Sequence, residues 1–146
     1  MRAPSRFWFV QEVRRLYPFF PAVVARVRDT FEWNDRTFPQ GRRVLLDLYG
    51  TNHDPRIWKA PQEFRPERWK GRRPHPFEFV PQGGGDAATG HRCPGEEVAT
   101  QVMSTALTLL TQRMTYKVAR QDLSVDMRRL PAIPMDGFII ESIEAR

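Results

Sequence analysis

The chain of 146 residues contains one cysteine, Cys93, and only three histidines. A single cysteine excludes a disulfide within the chain, and we expect a reducing compartment, the cytoplasm. This cysteine and the three histidines also lack the paired spacing of a structural zinc site. Two interpretations of the lone thiol are open, because Cys93 either packs as a small apolar side chain or acts as a thiolate.

Long apolar runs are absent as well. No stretch approaches the roughly 18 residues that a membrane-spanning helix needs, and the apolar part of residues 1–10 is too short for a signal peptide. We therefore expect no membrane span. Internal repeats and low-complexity segments are also lacking, so a solenoid or a disordered linker is not indicated.

Negative charge is the scarcer sign, with 17 Asp and Glu against 23 Lys and Arg and a net charge of +6. The basic residues form short pairs such as Arg72-Arg73 rather than a long run. A basic balance without a nucleic-acid-binding motif is weak evidence for that function. We expect no nucleic-acid partner. A basic, non-catalytic binding module is a possible interpretation of the charge, but nothing in the sequence favours it over a catalytic function.

The apolar spacing predicts an α+β protein with helices and strands along the chain. A helix is predicted over 7–17, ended by Pro18, and a stronger one over 96–114, with a short helix through Ile57 and Trp58. Thirteen prolines imply many turns, and proline-rich irregular chain covers 61–81. The predicted strands are 22–28, 31–38, 44–49, 116–118 and 137–143.

The segment around the cysteine is rich in glycine. It reads Phe79-Val-Pro-Gln-Gly-Gly-Gly-Asp-Ala-Ala-Thr-Gly-His-Arg-Cys93-Pro-Gly95. Glycine allows backbone N–H groups to turn toward a sulfur atom. The N-terminus of the helix that follows favours an anionic thiolate. The residues around Cys93 therefore favour chemistry over inert packing.

Three motifs occur in a fixed order along the chain. Glu12-Val-Arg-Arg15 supplies a Glu-x-x-Arg pair, Phe64-Arg-Pro-Glu-Arg-Trp69 follows after Asn52-His-Asp-Pro55, and the Cys93 loop comes last. In this order they resemble the C-terminal part of a cytochrome P450, a heme-thiolate enzyme. The resemblance implies an α+β fold that is mainly helical. Its parts are a helix with the Glu-x-x-Arg pair, a small β-sheet, an irregular meander, the cysteine loop, a long helix and C-terminal strands.

The same resemblance implies roles for individual residues. Cys93 would be the axial thiolate ligand of heme b, with Phe79 and Gly95 close to the cofactor. Glu12, Arg15 and Arg68 would form a hydrogen-bonded cluster that pins the irregular segment behind the heme. The alternative for Glu12 and Arg15, one helical turn apart, is a solvated pair worth a few tenths of a kcal/mol.

The cysteine loop departs from the common pattern of the family. The positions of the usual phenylalanine, glycine and arginine hold Asp86, Thr89 and His91, and Arg92 directly precedes Cys93. Either His91 or Arg92 can donate to a carboxylate of the heme. The altered loop is similar to the bacterial fatty-acid peroxygenase branch. That branch implies a fatty acid and hydrogen peroxide as reactants and no need for a redox partner; the alternative is a monooxygenase that uses dioxygen and redox partners.

The resemblance spans nearly the whole chain but only about the last third of a family member. The central oxygen-activating helix and its carboxylate-binding arginine are not in this sequence. We therefore expect residues 1–146 to be a partial P450 domain that is inactive alone. Two apolar stretches are candidates for the substrate pocket, with plain packing as the alternative; their residues are Phe19, Phe20, Pro21, Ala22, Ala132 and Ile133.

Overall fold

The structure, a computed structural model, describes residues 5–17 and 19–146. The predicted helix stop at Pro18 and the first four residues lie outside the described ranges. The elements in chain order are α1 (Arg6–Leu16), β1 (Ala22–Arg26), β2 (Phe31–Trp33), β3 (Arg36–Phe38), β4 (Arg43–Asp47), α2 (Leu48–Asn52), a 3₁₀ turn (Pro66–Trp69), α3 (Glu96–Thr108), β5 (Met114–Val118) and β6 (Ile140–Ala145). Helix and short strand are mixed, as the sequence predicts.

The described strands pair two by two, always antiparallel. β1 pairs with β4, β2 with β3, and β5 with β6. The stretch predicted as one strand over 31–38 is a hairpin, because Asn34 and Asp35 take positive φ values of 50° and 59°. Two consecutive left-handed residues of this kind form the tight turn that joins adjacent strands.

Helix α1 begins at a side-chain cap and buries a polar face. Ser5 accepts a hydrogen bond from the backbone N–H of Trp8 at 3.3 Å, which satisfies one of the unpaired donors of the first turn. The buried side of the helix carries Val10 together with Glu12, Arg14 and Arg15. A helix that buries three charged residues must provide partners for each of them, and those partners form the site described below.

The predicted short helix at Ile57 and Trp58 is wrong in position. The helix forms earlier, as α2, because the side chain of Asp47 accepts from the backbone N–H of Gly50 at 2.7 Å and caps it. The preceding strand consequently ends at Asp47 and not at residue 49. Ile57 and Trp58 instead lie in a turn in which both backbone N–H groups donate to the carbonyl of Asp54.

The predicted C-terminal elements are shifted by a few residues. The α-helical part of the long helix ends at Thr108 and continues as a π-helical turn over Leu109–Arg113, so that Met114 already begins β5. The last strand begins at Ile140 rather than at 137. The side chain of Gln121 accounts for this shift, since it bonds both the N–H and the carbonyl of Ile139, at 2.7 and 2.9 Å.

The small aromatic core lies behind the cysteine loop. Trp58, Trp69 and Phe79 are buried against one another, with ring centroids 4.7 to 6.1 Å apart. Phe79 is also the first residue of the predicted cysteine loop, so the core fixes the point from which the loop departs. Within the described ranges, no helix is long and apolar enough to cross a lipid bilayer.

Candidate functional site

A buried carboxylate on α1 is the centre of the first part of the site. Glu12 and Arg15 are both fully buried, at 0% exposure. Arg15 donates two hydrogen bonds to Glu12, at 3.0 Å to Oε2 and 2.9 Å to Oε1. Arg68 Nε donates to Oε1 at 2.9 Å. The structure therefore brings the three predicted cluster residues together in the interior and not as a solvated surface pair.

Two more donors, which sequence reasoning missed, complete the environment of Glu12. The backbone N–H of Arg65 donates to Oε1 at 3.0 Å, and the indole N–H of Trp69 donates to Oε2 at 2.9 Å. Burial by itself raises the pKa of Glu12, but the hydrogen bonds from Arg15, Arg65 and Trp69 outweigh it and hold the pKa below its ordinary value. Glu12 is therefore ionised at neutral pH.

The two arginines of this cluster use their remaining donors on backbone carbonyls of the irregular segment. Arg15 Nη1 donates to the carbonyls of Asn52 and Pro61, both at 2.9 Å. Arg68 donates to the carbonyls of Lys59 at 2.7 Å and Ala60 at 3.1 Å. Asn52 is the last residue of α2, and the other three carbonyls lie between α2 and the 3₁₀ turn, in a stretch without helix or strand. The cluster thus fixes a segment that has few bonds of its own.

A second charged network links α1 to the cysteine loop and α3. Arg14 donates to Gln11 Oε1 at 2.6 Å, to Gln82 Oε1 at 3.0 Å, and to the carboxylate of Glu96. Arg92 pairs with the same carboxylate at 2.5 and 2.8 Å. Burial by itself raises the pKa of Glu96. The hydrogen bonds from Arg92 and Arg14 outweigh burial, so that the pKa lies below its ordinary value.

The cysteine loop is held by backbone bonds near its two ends. The N–H of Cys93 donates to the carbonyl of Gln82 at 2.9 Å, and the N–H of Glu96 donates to the carbonyl of Cys93 at 3.3 Å. Gly83 has φ +95°, and a Cβ there would collide with the carbonyl oxygen of His91. The close approach of residues 83 and 91 therefore requires glycine at position 83.

A cavity of about 680 Å³ opens in front of this loop. Its wall is largely apolar, and Cys93 and His91 belong to it. The other wall residues are Phe20, Val23, Leu46, Leu48, Thr51, Phe77, Val80, Gln82, Gly83, Gly84, Gly85, Asp86, Thr89 and Gly90. Arg92 lines a different hollow, together with Glu96. The two residues considered as carboxylate donors thus line different hollows.

Comparison with known proteins identifies the arrangement. The family model of cytochrome P450 matches residues 7–136. The chain belongs to the cytochrome P450 family. The membership and the C-terminal P450 fold expected from the motifs are therefore confirmed, and members of this family are heme-thiolate oxidoreductases.

Curated P450 relatives match over most of this chain. The chain is 33% identical over 137 residues to taurochenodeoxycholic 6 alpha-hydroxylase of Sus scrofa and 33% identical over 137 residues to cytochrome P450 4A11 of Homo sapiens. Each match covers 91% of this chain and 24% of the relative. The chain therefore spans about a quarter of the length of these relatives.

Solved P450 structures are more similar still. A mutant (R241E) of cytochrome P450SP alpha (CYP152B1) is 54% identical with a TM-score of 0.90, covering 97% of this chain and 35% of that one. Cytochrome P450EX alpha (CYP152N1), solved with myristic acid, is 46% identical with a TM-score of 0.90, covering 97% and 34%. The OleT F79A structure, in complex with arachidonic acid, is 39% identical with a TM-score of 0.86, covering 97% and 34%. The predicted resemblance of this chain to the fatty-acid peroxygenase branch of the P450 family is confirmed.

The residues around Cys93 fit the heme of a P450. In a P450 the axial ligand of the heme iron is a cysteine thiolate, and the cofactor needs an apolar cavity and donors for its carboxylates. Cys93 supplies a free thiol in the wall of an apolar cavity. Gly95 precedes α3, and a Cβ built on it would lie 3.6 Å from Cys93 Sγ. The loop therefore presents the sulfur with little side-chain bulk beside it.

The remaining predicted residues are distributed around this P450 cavity. Phe79, which was expected close to the cofactor, lies in the aromatic core and does not line the cavity. Phe77, two residues earlier, lines the cavity instead. Of the described substrate-pocket candidates, Phe20 lies in the wall, whereas the others lie outside it; those are Phe19, Pro21, Ala22, Ala132 and Ile133. The two candidate stretches nevertheless adjoin, since the N–H of Ala132 donates to the carbonyl of Phe19 at 2.9 Å.

Several residues of the P450 site were missed by sequence reasoning. Asn52 accepts from the backbone N–H of Val80 through Oδ1 at 2.9 Å and from Arg15 through its carbonyl. It thus joins the Glu12 cluster to the start of the cysteine loop. Glu96 had a readable signal, because it follows Arg92 by four residues at a helix start. The contact of Gln82 with Arg14 has no signal in the sequence.

Proposed function

We propose that this chain supplies the thiolate side of a heme site in a fatty-acid peroxygenase, with Cys93 as the axial ligand of heme b. The observation that carries the proposal is the position of the only cysteine of the chain. It lies in the wall of an apolar cavity, on a loop tied to two buried ion clusters of α1. Bound heme would supply the iron for oxygen transfer, and thiolate donation favours O–O cleavage.

The placement of Cys93 supports its role as the axial ligand. Cys93 lies three residues before α3, a helix of 13 residues whose N-terminus carries a partial positive charge. Its own backbone N–H is engaged with the carbonyl of Gln82. Cys93 is therefore placed just before the start of a helix, and its backbone is fixed there by a hydrogen bond.

His91 is the residue that we propose as donor to a heme carboxylate. It lines the same cavity as Cys93. Arg92 lies beside the other hollow, and both its Nε and Nη2 atoms are already bonded to Glu96. Arg92 would have to reach the heme from that other hollow with its remaining donors, whereas His91 already lies in the wall of the Cys93 cavity.

The reactants we propose are a long-chain fatty acid and hydrogen peroxide. The fatty acid is supported by P450EX alpha, solved with myristic acid, and by OleT, solved with arachidonic acid. The apolar side chains of Phe20, Val23 and Leu46 in the cavity wall suit an apolar ligand and exclude water. The alternative is a monooxygenase that uses dioxygen and redox partners, since the curated relatives at 33% identity include a taurochenodeoxycholic 6 alpha-hydroxylase and a cytochrome P450 4A11.

Heme titration of the 146-residue chain tests the ligand. We expect weak binding and no turnover. On reduction and addition of carbon monoxide, the bound fraction should show the red-shifted Soret band of a thiolate complex, and this band should be lost in Cys93→Ser. The same band in Cys93→Ser would refute the assignment. Stable binding together with peroxide-driven hydroxylation would show that the chain is active alone.

A chimera tests the reaction. Residues 5–146 would replace the matching third of P450SP alpha, to which they are 54% identical. We expect hydroxylation of myristic acid with peroxide alone, and none in the chimera that carries Cys93→Ser. No hydroxylation by the chimera would show that residues 5–146 do not supply the thiolate side of a fatty-acid peroxygenase.

A further inference from the structure

The two ends of the cysteine loop meet at one side chain of α1. Arg14 Nη2 donates to the side chain of Gln82, before the loop, and to the carboxylate of Glu96, after it. The guanidinium also lies over the ring of Phe79, 5.2 Å from its centroid. Arg14 is therefore in contact with residues on both sides of Cys93, although it does not line the cavity described above.

The same residues that Arg14 holds also make the backbone bonds of Cys93. The carbonyl of Gln82 accepts from the N–H of Cys93, and the N–H of Glu96 donates to the carbonyl of Cys93. A displacement of Gln82 or Glu96 would therefore move the peptide groups on either side of the sulfur. Fixing Gln82 and Glu96 to a helix fixes Cys93 between them.

We propose that Arg14 is a positioning residue that closes the cysteine loop onto α1 and thereby sets the place of the Cys93 thiolate. The proposal rests on the proposed function only in taking Cys93 as the heme ligand. The Glu-x-x-Arg motif includes Arg15 as its arginine and assigns no role to Arg14.

Burial and charge explain why an arginine is needed at this position. The side chain of Arg14 is 5% exposed and that of Glu96 is 12% exposed. The planar guanidinium reaches Gln11 from Nη1 and the two loop residues from Nη2. The compact ammonium of lysine cannot span the same directions. Lysine would keep the charge beside Glu96 but lose at least one of the other bonds.

Hydrogen exchange of single backbone amides in the 146-residue chain tests this role without heme. In Arg14→Met we expect the amides of Cys93 and Glu96 to exchange about tenfold faster. The amide of Arg65, bonded to Glu12, is the internal reference and should keep its rate. The rate of Cys93 alkylation in Arg14→Met should rise in parallel. In Arg14→Lys, the exchange and alkylation rates should lie between those of the parent chain and those of Arg14→Met. Arg56→Met, at an exposed arginine, is the matched control.

Two outcomes would overturn the proposal. One is unchanged exchange at Cys93 and Glu96 in Arg14→Met, and the other is equal acceleration of Arg65, which would make Arg14 a residue of general stability. If Arg14→Met does not fold, Gln82→Ala tests the proposal instead. Gln82 is half-buried, and this substitution removes only the side-chain bond between Arg14 and the start of the loop. Acceleration at Cys93 with Arg65 unchanged supports the proposal, and no acceleration refutes it. Because the exchange experiment uses the chain without heme, a negative result in it can be distinguished from a negative result in the heme titration.

Discussion

Arg14 and Arg15 are neighbours on α1, yet their guanidinium groups hold different parts of the chain. Arg15 binds Glu12 and carbonyls of the irregular segment, and Arg14 binds Gln82 and Glu96 on either side of Cys93. Consecutive helical residues point about 100° apart, so one helix can serve two networks. Helix α1 is therefore the element that connects the irregular segment to the cysteine loop.

Replacing Arg15 with lysine should destabilise the chain strongly. Lysine cannot donate to both oxygens of Glu12 and to the carbonyls of Asn52 and Pro61, so buried acceptors lose their partners. We expect a loss of about 3–5 kcal/mol in the free energy of unfolding, the usual cost of breaking a buried pair. Urea denaturation followed by circular dichroism measures it. Arg56→Lys, at an exposed pair with Asp54, should show no measurable change, and a similar loss in both variants would contradict the cluster's role.

Trp69→Phe isolates one bond of the same cluster. Phenylalanine retains most of the aromatic packing against Trp58 and Phe79 but cannot donate to Glu12 Oε2. A hydrogen bond to a charged acceptor contributes about 1.5–3 kcal/mol, and we expect a loss in that range. Trp33→Phe is the control, since Trp33 is 67% exposed on a hairpin, and should change stability by less than about 0.5 kcal/mol. Equal losses would mean that indole size, and not the bond, is responsible.

Local sequence signals predicted the parts of the site that are close in the chain or share a motif. The period of α1, the Glu-x-x-Arg pair and the glycine-rich loop are all visible in the sequence. The capped start of α2 was readable in principle, because Asp47 is three residues before Gly50. It was missed since the alternating apolar residues before it favoured a longer strand.

Contacts between distant residues explain what the sequence did not show. Arg14 and Gln82 are 68 positions apart, and Arg14 and Glu96 are 82 apart. No periodicity relates such positions, and each residue alone resembles an ordinary surface residue. The choice between His91 and Arg92 likewise depends on the direction of two adjacent side chains. That direction follows from the turn at Gly83 and the ion pair of Arg92, which only the folded loop defines.

Gly83→Ala should disturb the loop more than another glycine in the same conformation. Gly83 and Gly41 both have positive φ, +95° and +82°, but a Cβ at Gly41 meets nothing within 4 Å. We expect Gly41→Ala to cost about 1–2 kcal/mol of backbone strain. Gly83→Ala should cost about 1–3 kcal/mol more, because its Cβ collides with the carbonyl of His91. Chemical denaturation of both variants gives the difference, and equal costs would show that the loop yields freely.

The ion pairs of Glu96 should make stability depend on pH below neutrality. Burial raises the pKa of Glu96, the bonds from Arg92 and Arg14 lower it, and the folded pKa lies below the ordinary 4.5. The unfolded chain therefore takes up the proton first. The contribution of Glu96 is fully present well above pH 4.5 and is lost as the pH falls from there through the folded pKa.

Glu96→Gln provides the test of this dependence. At neutral pH the variant should be less stable than the parent chain, and the gap should narrow as the pH falls below 4.5. The exposed neighbour Glu97 supplies the control, since Glu97→Gln should leave the parent's pH profile unchanged. A gap that stays constant across the pH range would show that Glu96 contributes by shape and not by charge.

His91→Gln and Arg92→Gln should separate heme binding from loop stability. His91 lines the cavity of Cys93, so its replacement should weaken heme affinity and leave the heme-free chain as stable as before. Arg92 pairs with Glu96 outside that cavity, so its replacement should lower the stability of the heme-free chain first. Heme titration and urea denaturation of both variants give the comparison. A larger loss of heme affinity in Arg92→Gln, with the stability of the heme-free chain unchanged, would make Arg92 the carboxylate donor and reverse the assignment.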